Sequence, residues 1–131
     1  MRRLTLIAAI AVLAFAGCGG DDKEPASSSG SSSSSSGGEN ITISADPGGA
    51  LKLDMTELTA KAGKVTVTMD NPSDVPHAVE IEGNGVEAEG KTVGKGAKSV
   101  ASADLKAGTY DFYCPVGNHR AEGMEGKLTV Q

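Results

Sequence analysis

The sequence predicts an all-β fold, a β-sandwich of seven or eight strands, on three observations. Apolar and polar residues alternate with a period of two in several short runs, turn-forming residues close each run, and no helical periodicity competes with them. The segment 39–131 also has the size of such a sandwich, which takes about 100 residues. Aromatic residues make up only 3% of the chain and Trp is absent. The core is therefore expected to consist mostly of Val, Leu, Ile, Ala and Met.

In chain order, Ile41, Ile43 and Ala45 alternate with Thr42 and Ser44, and Asp46-Pro47-Gly48-Gly49 ends that strand. Leu51 and Leu53 alternate with Lys52 and Asp54 and are expected to form the next. Val65, Val67 and Met69 alternate with Thr66 and Thr68 between two turn signals, Ala62-Gly63-Lys64 and Asn71-Pro72-Ser73-Asp74. A short strand over 79–81 runs into Gly83-Asn84-Gly85. The Gly- and Lys-rich stretch 89–98 is expected as a hairpin or loop, and 100–105, 110–114 and 128–130 supply the remaining strands. The run Leu105-Lys106-Ala107-Gly108-Thr109-Tyr110 looks like the tyrosine corner of Greek-key sandwiches, in which a Tyr just inside a strand bonds back to the preceding turn. Tyr110, Phe112 and Cys114 share strand parity, so the thiol is expected on the core face.

Ahead of this domain, Met1-Arg2-Arg3 precedes an apolar run over 4–16, long enough for a signal-peptide core and short of the ~20 residues that span a bilayer. The run ends in Phe15-Ala16-Gly17-Cys18, which resembles the lipobox of bacterial lipoproteins, with Phe15 in place of the usual Leu. The resemblance implies a signal peptide over 1–17, a lipid on Cys18, and attachment to the extracytoplasmic side of a cell membrane. An ordinary signal peptide with an incidental Cys is the plainer alternative. Residues 18–38, rich in Ser and Gly with Ser31 to Ser36 unbroken, read as a flexible tether with an r.m.s. reach of about 25 Å. With Cys18 acylated, Cys114 is the single remaining thiol, and no intramolecular disulfide forms. A lone thiol in an exported domain is open to oxidation unless something such as a metal occupies it.

The chain carries 12 Lys and Arg against 17 Asp and Glu, a formal charge of −5. That balance, without a basic cluster, argues against nucleic acid as a partner. With Arg2 and Arg3 removed, 10 basic residues face 17 acidic ones, a charge of −7. Complementary fields raise encounter rates, so protein partners are expected to present a positive surface.

The chemistry is concentrated in a few residues. Cys114, His119 and Met124 follow the spacing Cys-x4-His-x4-Met behind an aromatic-rich strand, and His77 comes directly after Pro76 in Asn71-x4-Pro-His. One thiolate, two imidazoles and a thioether are the donor set of a type 1 copper site. Soft sulfur suits Cu(I), and imidazole suits both oxidation states. Each residue also has a plainer role taken singly: Cys114 and Met124 as core packing, His77 and His119 as surface residues.

At these positions, and over about 65–130, the sequence is similar to the cupredoxin family, the blue copper proteins of the plastocyanin and azurin kind. The resemblance implies a cupredoxin-like Greek-key sandwich, one type 1 copper ion and electron transfer. It implies that His77, Cys114 and His119 are equatorial ligands and Met124 is axial. Two positions depart from the family pattern. Ala78 stands where many relatives have an Asn that ties this loop to the backbone after the Cys, and Pro115 has no N–H to give in return. Asn118 precedes His119 where Gly is common, a position expected to need unusual backbone angles, which Asn tolerates.

An electron carrier, expected to be a monomer that exchanges electrons with redox protein partners, is the leading expectation. Copper binding or delivery without redox turnover is the alternative. Zinc would engage the same donors without colour. Catalysis is not expected, because a copper oxidase needs further His-rich centres and a binuclear copper centre needs two thiolates at one site. A Cys–His nucleophile pair would need a free ionised thiol.

Overall fold

A computed structural model describes residues 38–131. The expected signal peptide, Cys18 and all but the last residue of the tether lie outside the described residues. The described part contains eight strands: β1 (Glu39–Ser44), β2 (Glu57–Ala60), β3 (Gly63–Asp70), β4 (Glu80–Gly83), β5 (Val86–Glu89), β6 (Lys98–Leu105), β7 (Gly108–Tyr113) and β8 (Glu125–Val130). They form a three-stranded sheet in the order β1-β3-β6 and a five-stranded sheet in the order β2-β8-β7-β4-β5. The chain passes repeatedly from one sheet to the other, giving the Greek-key sandwich that the alternation predicts. No helix among the described residues is long and apolar enough to cross a membrane.

The period-two pattern explains the core. Val65, Val67 and Met69 of β3 are buried while the Thr residues between them are half-buried, so one face of the strand points inward. Ile43 on β1 and Leu105 on β6 share that inner face, and Ile81, Phe112 and Leu128 project from the opposite sheet into the same cluster. Burying each of these larger side chains is worth roughly 1.5–3 kcal/mol. The tyrosine corner forms as its sequence suggests, with the Tyr110 hydroxyl donating to the Lys106 carbonyl at 3.0 Å.

Two strands differ from the sequence reading. Leu51 and Leu53 do not form a strand. Asp46 folds the segment back instead, its Oδ1 accepting from the N–H groups of Gly48 and Ala50, which leaves only a bridge between Ala45 and Leu53. The strand in that part of the chain is β2, whose Leu58 and Ala60 are buried and which pairs in parallel with β8. The stretch expected as a loop from residue 89 is preceded by β5, joined to β4 by the two-residue turn Asn84-Gly85 with φ of 50° and 81°. Positive φ at both positions is the hairpin turn that Asn-Gly favours. β5 is an edge strand, and its Glu87 and Glu89 discourage further strand pairing.

Gly126 on β8 lies directly opposite Phe112 on β7. A Cβ there would fall within the van der Waals envelope of the Phe112 ring and the Thr56 carbonyl, and the latter also accepts the Lys127 N–H. Gly126→Ala is expected to lower stability by about 1–3 kcal/mol through overpacking, read as a fall in the urea midpoint. An unchanged midpoint would show that β2 and β8 can separate freely.

Candidate metal centre

The β7–β8 connection is short, and its backbone closes on itself. Cys114 lies one residue past β7, and its N–H donates to the Met124 carbonyl at 2.9 Å. Met124 in turn donates to the His119 carbonyl at 3.0 Å, and His119 to the Val116 carbonyl at 3.1 Å. Three of the four candidate residues are thus linked through main-chain bonds. The positive-φ positions in this loop are Gly117 and Gly123, with φ of 52° and 120°, and not Asn118 as the sequence suggests. Asn118 uses its side chain instead, donating to Glu122 Oε1 at 3.1 Å.

His77 arrives from the other direction, three residues ahead of β4, the strand that pairs with β7. Rather than opening a strand, it forms an isolated bridge with Val93, donating at 3.1 Å and accepting at 2.8 Å. Asn71 builds the approach. Its buried side chain donates to the carbonyls of Val75 and Val93 at 2.8 and 2.9 Å and accepts from the N–H and hydroxyl of Ser73 at 3.0 and 2.9 Å. The Asn-x4-Pro-His spacing was visible in the sequence. That Asn71 and Ser73 are buried and tie two loops together was not.

These elements bring His77, Cys114 and His119 together, with one donor atom from each lying within 4.8 Å of the others. Cys114 Sγ is 3.9 Å from His77 Nδ1 and 3.5 Å from His119 Nδ1, and the two Nδ1 atoms are 3.2 Å apart. The point equidistant from the three atoms lies about 2.1 Å from each, within the ~2.0–2.3 Å range of metal–nitrogen and metal–sulfur bonds at such sites. The donor set and its spacing fit a metal ion of that size. Met124 is fully buried beside this cluster in the core. His77 and Cys114 are also fully buried, which removes the surface reading of His77, while His119 is half-buried.

The surroundings favour neutral imidazole and a held sulfur. Burial, and then the proximity of His119, hold the His77 imidazole below its ordinary pKa, leaving a lone pair available at neutral pH. His77 Nε2 is buried and has no hydrogen-bond partner among the described residues. Ala78 lacks the side chain to tie the two loops, but its backbone N–H points at Cys114 Sγ at 3.4 Å. One donor to the sulfur therefore survives in this chain without the Asn.

On the outer face behind Cys114, Tyr113 donates to Glu82 Oε2 at 2.9 Å, and burial with the neighbouring carboxylates pushes its phenol well above the ordinary range. Glu80 is buried opposite Tyr113 and Glu89. Burial raises its pKa first, Tyr113 opposes the rise, and Glu89, Glu87 and Glu82 add to it. A carboxyl whose folded pKa lies above its unfolded value binds protons more tightly in the native state, so stability falls as pH rises through that window. Glu80→Gln is expected to raise the melting temperature at pH 7 and to leave it unchanged below about pH 4, where the Glu80 carboxyl is protonated in the folded and the unfolded chain alike. An equal effect at both pH values would exclude ionisation as the cause.

Comparison with known proteins agrees with this geometry. Residues 6–130 match the family model described as a cupredoxin-like domain. Among solved structures, auracyanin from the photosynthetic bacterium Roseiflexus castenholzii is 27% identical, with a TM-score of 0.63 over 72% of this chain and 99% of that one. Auracyanin A, a blue copper protein from Chloroflexus aurantiacus, is 25% identical, with a TM-score of 0.62 over 72% of this chain and 100% of that one. An azurin from Methylomonas sp. strain J shares the fold at 13% identity, with a TM-score of 0.59 over 71% and 98% of the two chains. A search of curated protein sequences found no match. Since the family match spans every strand and the loop carrying Cys114, His119 and Met124, the chain belongs to the cupredoxin-like family.

Proposed function

We propose that this chain is an extracytoplasmic, lipid-anchored type 1 copper protein that carries single electrons between redox partners. The triangle formed by Cys114 Sγ and the Nδ1 atoms of His77 and His119 carries the reading. Those three residues would hold a copper ion, with the Met124 thioether as a fourth donor. Copper bound there supplies a one-electron change between Cu(II) and Cu(I).

The chain's own residues account for the rest. The sandwich buries His77, Cys114 and Met124 and keeps water from the sulfur. The main-chain bonds from Cys114 to Met124 and from Met124 to His119 hold the loop in one shape, and so limit rearrangement during electron exchange. His119, the one half-buried member, offers its edge to a docked protein. The chain has two histidines, both used here, so nothing remains for a second His-rich centre. An electron carrier fits that inventory better than an enzyme.

The leader over 1–17, Cys18 and the tether over 18–38 support attachment of the 39–131 domain to a membrane, and the acidic charge favours basic partners. Addition of Cu(II) is expected to give an intense blue or green colour and a reversible one-electron voltammetric wave. A colourless protein would overturn the reading. Tight uptake with no reversible wave would replace electron transfer with copper delivery.

A further inference from the structure

Arg120 follows His119 directly, and its side chain leaves the loop on the side away from the cluster. Its Nε donates to Glu125 Oε2 at 3.0 Å, and its two terminal nitrogens donate to Glu82 Oε2 and Asp111 Oδ2, each at 3.2 Å. The guanidinium carbon also lies 3.8 Å from the centroid of the Tyr113 ring. Its partners sit on three neighbouring strands, β4, β7 and β8, and Tyr113 adjoins Cys114 in the chain. Exposed ion pairs are ordinarily worth little singly. Here one planar fork engages three carboxylates and an aromatic face at once, a geometry available to Arg and not to Lys.

The loop backbone is therefore held from two sides at adjacent residues, by His119 toward the core and by Arg120 toward the outer sheet face. We infer that Arg120 is a positioning residue, clamping the loop between Cys114 and Met124 onto the five-stranded sheet so that the His119 ring is presented to the metal in a fixed place. The inference deepens the copper reading and rests on it for its metal-dependent part. The clamp itself exists without metal and can be tested without it.

The experiment compares the full chain with Arg120→Gln and Arg120→Lys. In metal-free protein, amide exchange at His119 and Met124 is expected to quicken about tenfold in R120Q, as local opening no longer breaks the fork. In copper-loaded protein, release to a chelator is expected to quicken about tenfold, the lower end of the effect of losing a group that supports a metal ligand. The urea midpoint is expected to stay nearly unchanged, and R120K to restore only part of each rate. Unchanged amide exchange at His119 and Met124 in R120Q overturns the inference. So does exchange that quickens evenly across the domain, or full restoration by R120K, which would assign the effect to charge alone. If the wild-type chain stays colourless with Cu(II), the copper reading fails, and the metal-free amide rates alone decide for or against the clamp.

Discussion

Cys114→Ser protein is expected to stay colourless when Cu(II) is added, losing the whole of the intense visible band. That band requires a thiolate bonded to Cu(II), and Cys114, the only thiol among the described residues, lies close to both imidazoles. Serine is close to cysteine in size, and its hydroxyl can bond to a nearby imidazole nitrogen, so the sandwich itself should persist. Circular dichroism checks the fold and absorption spectroscopy checks the site. Retained colour in the folded variant would place the chromophore elsewhere and remove the basis of the functional reading.

Asn71→Ala is expected to cost about 3 kcal/mol. Four hydrogen bonds disappear with the side chain, two to the carbonyls of Val75 and Val93 and two from Ser73. The Ser73 N–H is left without a partner, at roughly 1–3 kcal/mol, while the Val75 and Val93 carbonyls keep the Ser73 hydroxyl and the His77 N–H and lose one bond each. Asp is no remedy, because it keeps the Ser73 bonds and turns lone pairs toward two carbonyls. Urea unfolding measures the loss. A change below ~1 kcal/mol would mean that the loop before His77 repacks without Asn71. Because His77 hangs between the Asn71 loop and Val93, copper affinity should fall together with stability.

The site was legible because three of the four candidate residues lie in one short connection between two strands. The parity of Tyr110 and Phe112 already turned Cys114 inward, and the spacing of His119 and Met124 behind it carried the chemistry. Two strands were harder to place because their evidence is not local. β2 has only Leu58 and Ala60 on its inner face, and it is defined by parallel pairing with β8 near the other end of the domain. β5 offers Val86 and Ala88, both half-buried, so its alternation is faint although the Asn84-Gly85 turn before it is a strong signal. Conversely, Leu51 and Leu53 have the alternation of a strand but are captured by the Asp46 turn. The Arg120 fork could not be read from sequence, because Glu82, Asp111 and Glu125 converge on it only once three strands are aligned.

The unequal burial of the two imidazoles has a consequence for traffic. With Cys114, Met124 and His77 sealed, an incoming ion would reach the cluster past the half-buried rim of His119, and under the proposed function an electron would leave by the same edge. A protein seated over that rim to exchange charge would also bar the exit of the metal, so the working complex should guard its cargo against scavengers better than the free carrier does.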